Sequence, residues 1–333
     1  MRLLVLGGTH FVGRAIVEAA VAAGVDVTML NRGHTTVPGL QVRTLVADRT
    51  DRDALSAALG DQTWDVVVDT WSDAPKVVAD ACELLGGRAA RFSYISTVSV
   101  YAAPIPMNAD EHAPVVDADP DSTAGLAGDD FARYPVVKRG AELAVLRAFG
   151  EDRTLLARPG LILGPHENIY RLPWWLRRIE RGGRVLAPGN PATPVQYIDV
   201  RDLADWVISA AQRDLAGVFN VVSRPGHTTM GELLDTVVEV VGGDAELVWI
   251  PPDVVLAAGI EPWSELPIWV PEGHPDEAEG NVDVSAAFAA GLTARPVRET
   301  VADTWAWLQA EGDPPPRPGI GLDAAKERAV LDA

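Results

Sequence analysis

Over the first half of the chain, short apolar runs alternate with longer amphipathic stretches. The runs Leu3 to Leu6, Val25 to Leu30, Val42 to Val46, Val66 to Val68, Phe92 to Ile95 and Leu155 to Ala157 are continuous, as strands covered on both faces are. Between them, Gly13 to Ala23, Asp51 to Leu59, Lys76 to Leu85 and Val136 to Phe149 carry apolar residues at helical spacing. Strands alternating with helices predict an α/β fold with a Rossmann-type doubly wound parallel sheet.

After Gly164 the alternation weakens, and Pro and Trp become frequent through about residue 280. Val195 to Ile198, a helix from Asp202 to Gln212 and a strand from Val218 to Val222 read as a return to the main sheet. The expected division is a Rossmann domain of residues 1–165 plus 193–222 and a smaller substrate lobe of 166–192 plus 223–310. A Pro-rich linker and tail, 311–333, follows. The insertion 107–130 carries Asp110, Glu111, Asp117, Asp119, Asp121, Asp129 and Asp130 without a Lys or Arg. It reads as an acidic surface loop, solvated throughout or bordering a cleft.

The 333 residues hold 28 Lys and Arg against 47 Asp and Glu, a formal net charge of -19. Such a surface repels phosphate backbones and anionic lipid, so neither nucleic acid nor membrane is the expected partner. The single cysteine, Cys82, permits no internal disulfide. No apolar run nears the ~18 residues of a spanning helix, and Leu3 to Leu6 is too short for a signal segment. A cytoplasmic protein with a small-molecule substrate is expected, a homodimer being admissible. His112, His166, His227 and His274 show no ligand spacing, so no metal is assigned.

The first strand leads into Gly7-Gly8-Thr9-His10-Phe11-Val12-Gly13 and then a helix. Such a turn lets backbone N–H groups meet a pyrophosphate, and the first βα unit is where parallel sheets bind dinucleotides. At the end of the second strand, Asn31 offers no carboxylate to a ribose diol, while Arg32 can pair with a 2′-phosphate or stand as a surface arginine; NADP is expected over NAD. Asp48, with Arg49, is placed to meet the adenine edge or to cap a helix. Thr70, after Val66 to Val68, is counted with the cofactor contacts.

Tyr134-Pro135-Val136-Val137-Lys138 is the strongest constellation, because four residues on a helix put phenol and ammonium one turn apart on one face. The ammonium lowers the phenol pKa, and a phenol so tuned exchanges a proton with a carbonyl or alcohol oxygen while hydride moves at a nicotinamide. Ser96, Thr97 and Ser99 form a hydroxyl cluster after the fifth strand, suited to a substrate oxygen or to plain capping.

These residues resemble those of extended or atypical short-chain dehydrogenase/reductases of the NAD-dependent epimerase/dehydratase superfamily. The resemblance covers the Gly-rich turn, Asp48, Ile95 to Tyr101, Tyr134 with Lys138, Arg158 to Pro165 and Gln196 to Asp202, most of residues 1 to 222. It implies a catalytic triad of Thr97, Tyr134 and Lys138, with Ser99 beside the substrate. The Asp-Glu pair of the dehydratases is replaced by Val98 and Ser99, so dehydration is not expected. His10 stands where the family has its middle glycine, to touch phosphate or to cap the turn, and the acidic insertion lengthens the Thr97 to Tyr134 spacing.

Trp174 and Trp175, about 100° apart on a helix, cannot share the centre of one buried face, which places one at a cleft or interface. With Trp249, Trp263 and Trp269 they suggest a surface for an aromatic or sugar ring, or ordinary packing. Arg171, Arg177, Arg178, Arg181 and Arg184 make a basic stretch, suited to a nucleotide diphosphate or simply solvated. The leading expectation is an NADP-dependent oxidoreductase acting on a carbonyl or alcohol of a small cyclic or aromatic metabolite. The alternatives are a sugar-nucleotide epimerase with retained NAD(P) and a non-catalytic RNA-binding or dinucleotide-sensing protein on the same fold.

Overall fold

The computed structural model describes every residue except 36, 38, 127–130, 275–276 and 316. Its contacts divide the chain into two units, Met1–Gly160 with Arg201–Val221 and Val282–Thr293, and Leu161–Val200 with Val222–Asn281 and Ala294–Ala333.

The first unit contains β1 (Arg2–Leu6), α1 (Phe11–Ala22), β2 (Asp26–Asn31), β3 (Arg43–Val46), α2 (Arg52–Leu59), β4 (Trp64–Asp69), α3 (Pro75–Leu85), β5 (Ala89–Ile95), α4 (Tyr134–Phe149) and β6 (Thr154–Arg158). After the chain has run through part of the second unit, α5 (Val200–Gln212) and β7 (Gly217–Asn220) complete the sheet. Its order is β7-β6-β5-β4-β1-β2-β3, with every neighbouring pair parallel. This is the doubly wound arrangement, with the order reversing between β1 and β4.

Burial follows sheet position. Leu3, Leu4 and Val5 of β1 and Val67 and Val68 of β4 are fully buried, whereas β3 at the edge is largely exposed. Each buried Leu or Val contributes roughly 1.5–3 kcal/mol, so the central strands dominate the core. Helix α4 lies close to α3 because of Gly140, where a Cβ would stand 2.7 Å from Pro75 Cγ and 2.8 Å from the Asp119 carbonyl.

The acidic segment is tied down at several points. Tyr101 bridges to Val115, Ala109 to Val282, and the exposed Asp121 carboxylate forks onto Arg147 of α4. Asp129 and Asp130 lie outside the described residues.

Three boundaries differ from expectation. Val195 to Ile198 does not rejoin the main sheet: Pro194–Val195 pairs with Thr228–Thr229, and Tyr197–Asp199 pairs with Leu161–Leu163, all in the second unit. Residues 282–293 group with the first unit, where the Asp283 backbone bonds to that of Ala109. The C-terminal stretch is packed rather than loose, since Leu322 and Leu331 belong to the second unit's core. That core also takes in the helices Arg171–Glu180, Met230–Val241 and Val297–Glu311. Among the described residues no helix is long and apolar enough to cross a membrane.

Candidate active site

The parallel register brings the C-terminal ends of the strands into one row, with Leu6 beside Asp69 and Asp69 beside Tyr94. At the β1/β4 reversal lies the glycine turn. Gly7 and Gly8 have φ of 115° and 97°, values that an L side chain rarely adopts. A Cβ on Gly13 would stand 2.9 Å from the Gly8 amide nitrogen, so α1 presses directly onto the turn, and one on Gly7 would stand 3.2 Å from Thr70 Oγ1. The His10 side chain is exposed and makes no capping bond, which removes its capping role, and the first turn of α1 carries no acid. Its N-terminal amides therefore keep their capacity for an anion, and the turn fits a dinucleotide pyrophosphate.

At the end of β2, the Asn31 carboxamide oxygen accepts from the Gly33 amide at 2.8 Å. Arg32 is exposed, and no described side chain hydrogen-bonds or ion-pairs with it. Asp48 is likewise exposed. Its carboxylate accepts from the Thr50 hydroxyl and amide, which hold its pKa below the usual range. It does not cap a helix, because Asp51 performs that role for α2. Arg49, expected near the adenine, turns inward instead and forks onto the buried Asp69 at 2.6 and 2.7 Å.

Lys138 is completely enclosed. Its Nζ donates to the carbonyls of Trp71 at 2.8 Å and Ile95 at 2.6 Å, and lies 4.3 Å from the centre of the Tyr94 ring. Burial pulls its pKa down to about 7, against the pull of Asp69 and Glu142 in the other direction. An ammonium has three N–H donors, so one remains after the two carbonyls. Tyr134 opens α4 one turn earlier on the same face and is half-buried.

Thr97 follows β5, and its Oγ1 lies 3.2 Å from both the Ser99 hydroxyl and the Ser99 amide, capping the short turn Val98–Val100. Behind it, Arg158 of β6 forks onto Glu142 of α4 at 2.9 Å twice and lies over the Tyr101 ring. Against burial, which would raise it, this fork holds the Glu142 carboxyl below its usual range. Tyr101 donates onward to Asn220, whose amide donates to Glu111 of the acidic segment.

The second unit treats its singled-out residues differently. Trp174 and Trp175 are both buried in its core, Trp175 bonded to the Pro267 carbonyl at 2.8 Å. The helix Arg171–Glu180 is covered nearly all round, so two rings 100° apart are both enclosed, and the expectation that one lines a cleft fails. Trp269 is also buried, while Trp263 is exposed, with Arg171 over its ring. Arg177 pairs with Asp313 and Glu180, and the buried Arg178 with Glu327. The basic stretch is thus largely neutralised from within. Glu167, not anticipated from sequence, is fully buried; it accepts from the amides of Arg171 and Leu172, and burial raises its pKa to about 7. Asp69, Trp71 and Glu142 were missed as well; for Asp69 the readable signal is an acid closing an otherwise apolar buried strand. No group of His, Cys, Asp and Glu among the described residues could hold a metal.

The model of the NAD dependent epimerase/dehydratase family matches residues 3–221. A Streptomyces protein named 3-diazoavenalumate denitrifying reductase is 27% identical over 66% of this chain and 75% of its own. A Stigmatella aurantiaca protein named 4-hydroxy-2-methyl-3-oxo-4-farnesyl-3,4-dihydroquinoline-1-oxide ketoreductase is 25% identical over 78% of each. In fold, the Bordetella bronchiseptica enzyme WbmH, solved with NAD+, superposes with a TM-score of 0.70 at 18% identity, over 94% of this chain and 99% of that one. With a Rossmann sheet, a glycine turn open to an anion and a family match over about two thirds of its length, the chain belongs to the NAD dependent epimerase/dehydratase family and is an NAD(P)-dependent oxidoreductase or epimerase.

Proposed function

We propose that the protein is an NADP-dependent oxidoreductase that reduces a carbonyl, or oxidises the corresponding alcohol, on a small cyclic or aromatic metabolite. The observation that carries this reading is Lys138, an enclosed ammonium with one donor to spare, one helical turn from Tyr134. A cation beside a phenol stabilises the phenolate, so Tyr134 Oη can release a proton to a substrate oxygen and regain it near neutral pH. Thr97 Oγ1 donates to the same oxygen, with Ser99 beside it, which orients the substrate. The residues that would hold the dinucleotide are Gly7, Gly8, Thr9, His10, Phe11, Val12 and Gly13 at the pyrophosphate and Lys138 at the nicotinamide ribose. Arg32 with Asn31 would take the 2′-phosphate, with Asp48 toward the adenine and Thr70 along the cleft. When bound, that cofactor supplies or accepts the hydride.

Both relatives are named reductases, which supports a reduction, and the name of one, a ketoreductase of an oxo-dihydroquinoline oxide, supports a ring-borne carbonyl. The epimerase alternative drew on arginines free for a diphosphate, and the pairing of Arg177 and Arg178 with Asp313 and Glu327 weakens that support. The test is Tyr134→Phe with NADPH and a panel of cyclic and aromatic ketones. Turnover falls by ~10²-fold or more, the scale of a lost proton donor, while NADPH affinity stays within about threefold. Full turnover in the variant would overturn the assignment.

A further inference from the structure

We propose that the buried Arg49–Asp69 pair is a positioning device for Lys138: Asp69 holds the Trp71 backbone whose carbonyl seats the ammonium, and Arg49 cancels the charge that would otherwise draw it away. The role of Lys138 rests on the function proposed above; the coupling rests on geometry alone.

Asp69 is completely buried at the end of β4. One carboxylate oxygen accepts from Arg49 at 2.6 Å and from the Trp71 amide at 2.9 Å, and the other from Arg49 at 2.7 Å. The Trp71 carbonyl in turn accepts from Lys138 at 2.8 Å and from the Tyr94 hydroxyl at 2.7 Å, while the Arg49 guanidinium lies 4.9 Å from the Trp71 ring centre. Trp71 is thus held at its amide, its carbonyl and its ring, and Lys138 is seated on a fixed acceptor.

The charges facing Lys138 are Asp69 and Arg49 from the β4 and β3 ends and Glu142 on α4; the titratable neighbours of this cluster include Tyr94 on β5, Tyr134 on α4 and the buried Cys82 on α3. Each carboxylate has its own arginine, Asp69 with Arg49 and Glu142 with Arg158 and Arg139. A carboxylate without one would be the strongest acceptor in this enclosure and would take the donor that Lys138 keeps free. Buried ion pairs are weak stabilisers, and the Arg49 Nε has no partner among the described residues, so stability alone accounts poorly for this pair.

The chain has three lysines, Lys76, Lys138 and Lys326. Side-chain NMR of lysine-labelled full-length protein therefore reads Lys138 directly, assigned as the signal that survives Lys76→Arg with Lys326→Arg. Arg49→Met leaves Asp69 uncompensated and raises the Lys138 titration midpoint by about one pH unit or more; Asp69→Asn leaves Arg49 uncompensated and lowers it by about as much. The double variant returns it to within about 0.3 unit of the parent, because both charges are gone. Circular dichroism checks the fold. Where Arg49→Met does not fold, Asp69→Asn, which keeps an acceptor for the Trp71 amide, decides alone by its downward shift. A midpoint unmoved in a folded single variant overturns the proposal. No turnover enters this measurement, so an active Tyr134→Phe enzyme would sink the function and leave this result standing.

Discussion

Each unit encloses a fully buried group brought to about 7 by burial, Lys138 in the first and Glu167 in the second. Lys138 gives two donors to carbonyls and retains a third, whereas Glu167 takes two amides at the head of a helix and completes that helix's own bonding. Burial costs the charged form of each in the same way. What differs is the remainder: one group keeps a donor beyond its two carbonyls, and the other is spent on the fold. The same contrast separates Arg32, exposed and in no described hydrogen bond or ion pair, from Arg178, consumed by Glu327 and two carbonyls. A perturbed pKa marks a strained environment, and unspent donors mark a site.

The comparison breaks most visibly in turnover. Lys138→Met is expected to lose ~10²-fold or more, because it removes the cation proposed to act on the phenol, while Glu167→Gln stays within about threefold because it alters only a helix cap. A stable but inactive Glu167→Gln enzyme would move the second unit's carboxyl into the chemistry. Removing the other unspent cation has a smaller effect: Arg32→Ala weakens NADPH binding by about tenfold and leaves NADH nearly unchanged, as the loss of one charge-assisted contact implies. Titration of both cofactors measures this, and equal losses would mean that Arg32 does not read the 2′-phosphate.

The smallest effect is the pH dependence of stability, and its sign differs between the two groups. Lys138 is charged in folded and unfolded chains below pH 7. Above it, the unfolded chain holds the extra proton up to about 10.5, so stability climbs with pH. Glu167 has its folded pKa raised from 4.5 to about 7, so the folded chain holds the extra proton and stability declines across that window. Urea unfolding from pH 5 to 9 should show the rise disappear in Lys138→Met and the decline disappear in Glu167→Gln. Slopes unaltered by either substitution would contradict both assignments.

The sheet was legible because continuous apolar runs have few uses other than central parallel strands, and Tyr134 with Lys138 because a four-residue spacing is local information. The residues beneath them were not. Asp69 and Arg49 meet only once β3 and β4 have taken places on either side of β1 and β2, an order that hydropathy does not encode. The arginines of the helix Arg171–Glu180 misled for the same reason, since their carboxylates lie 136 and 149 residues farther along the chain. Trp174 and Trp175 misled differently: the one-face rule suits a helix on a surface, and this one is surrounded.

The first unit is assembled from three separate stretches, and this bears on how the protein is made. A ribosome that has released Met1–Gly160 has supplied six of the seven strands, but β6 still has an open edge and Tyr101 no Asn220 to donate to. The Val282 bridge to Ala109 arrives later still, after most of the second unit has been synthesised. Vectorial synthesis thus leaves the nucleotide-binding half waiting with an unpaired strand edge until Gly217–Asn220 emerges, and without its Val282 bridge for longer still. Such an edge invites mispairing, which makes elongation through the middle of the chain the interval in which chaperone protection counts most.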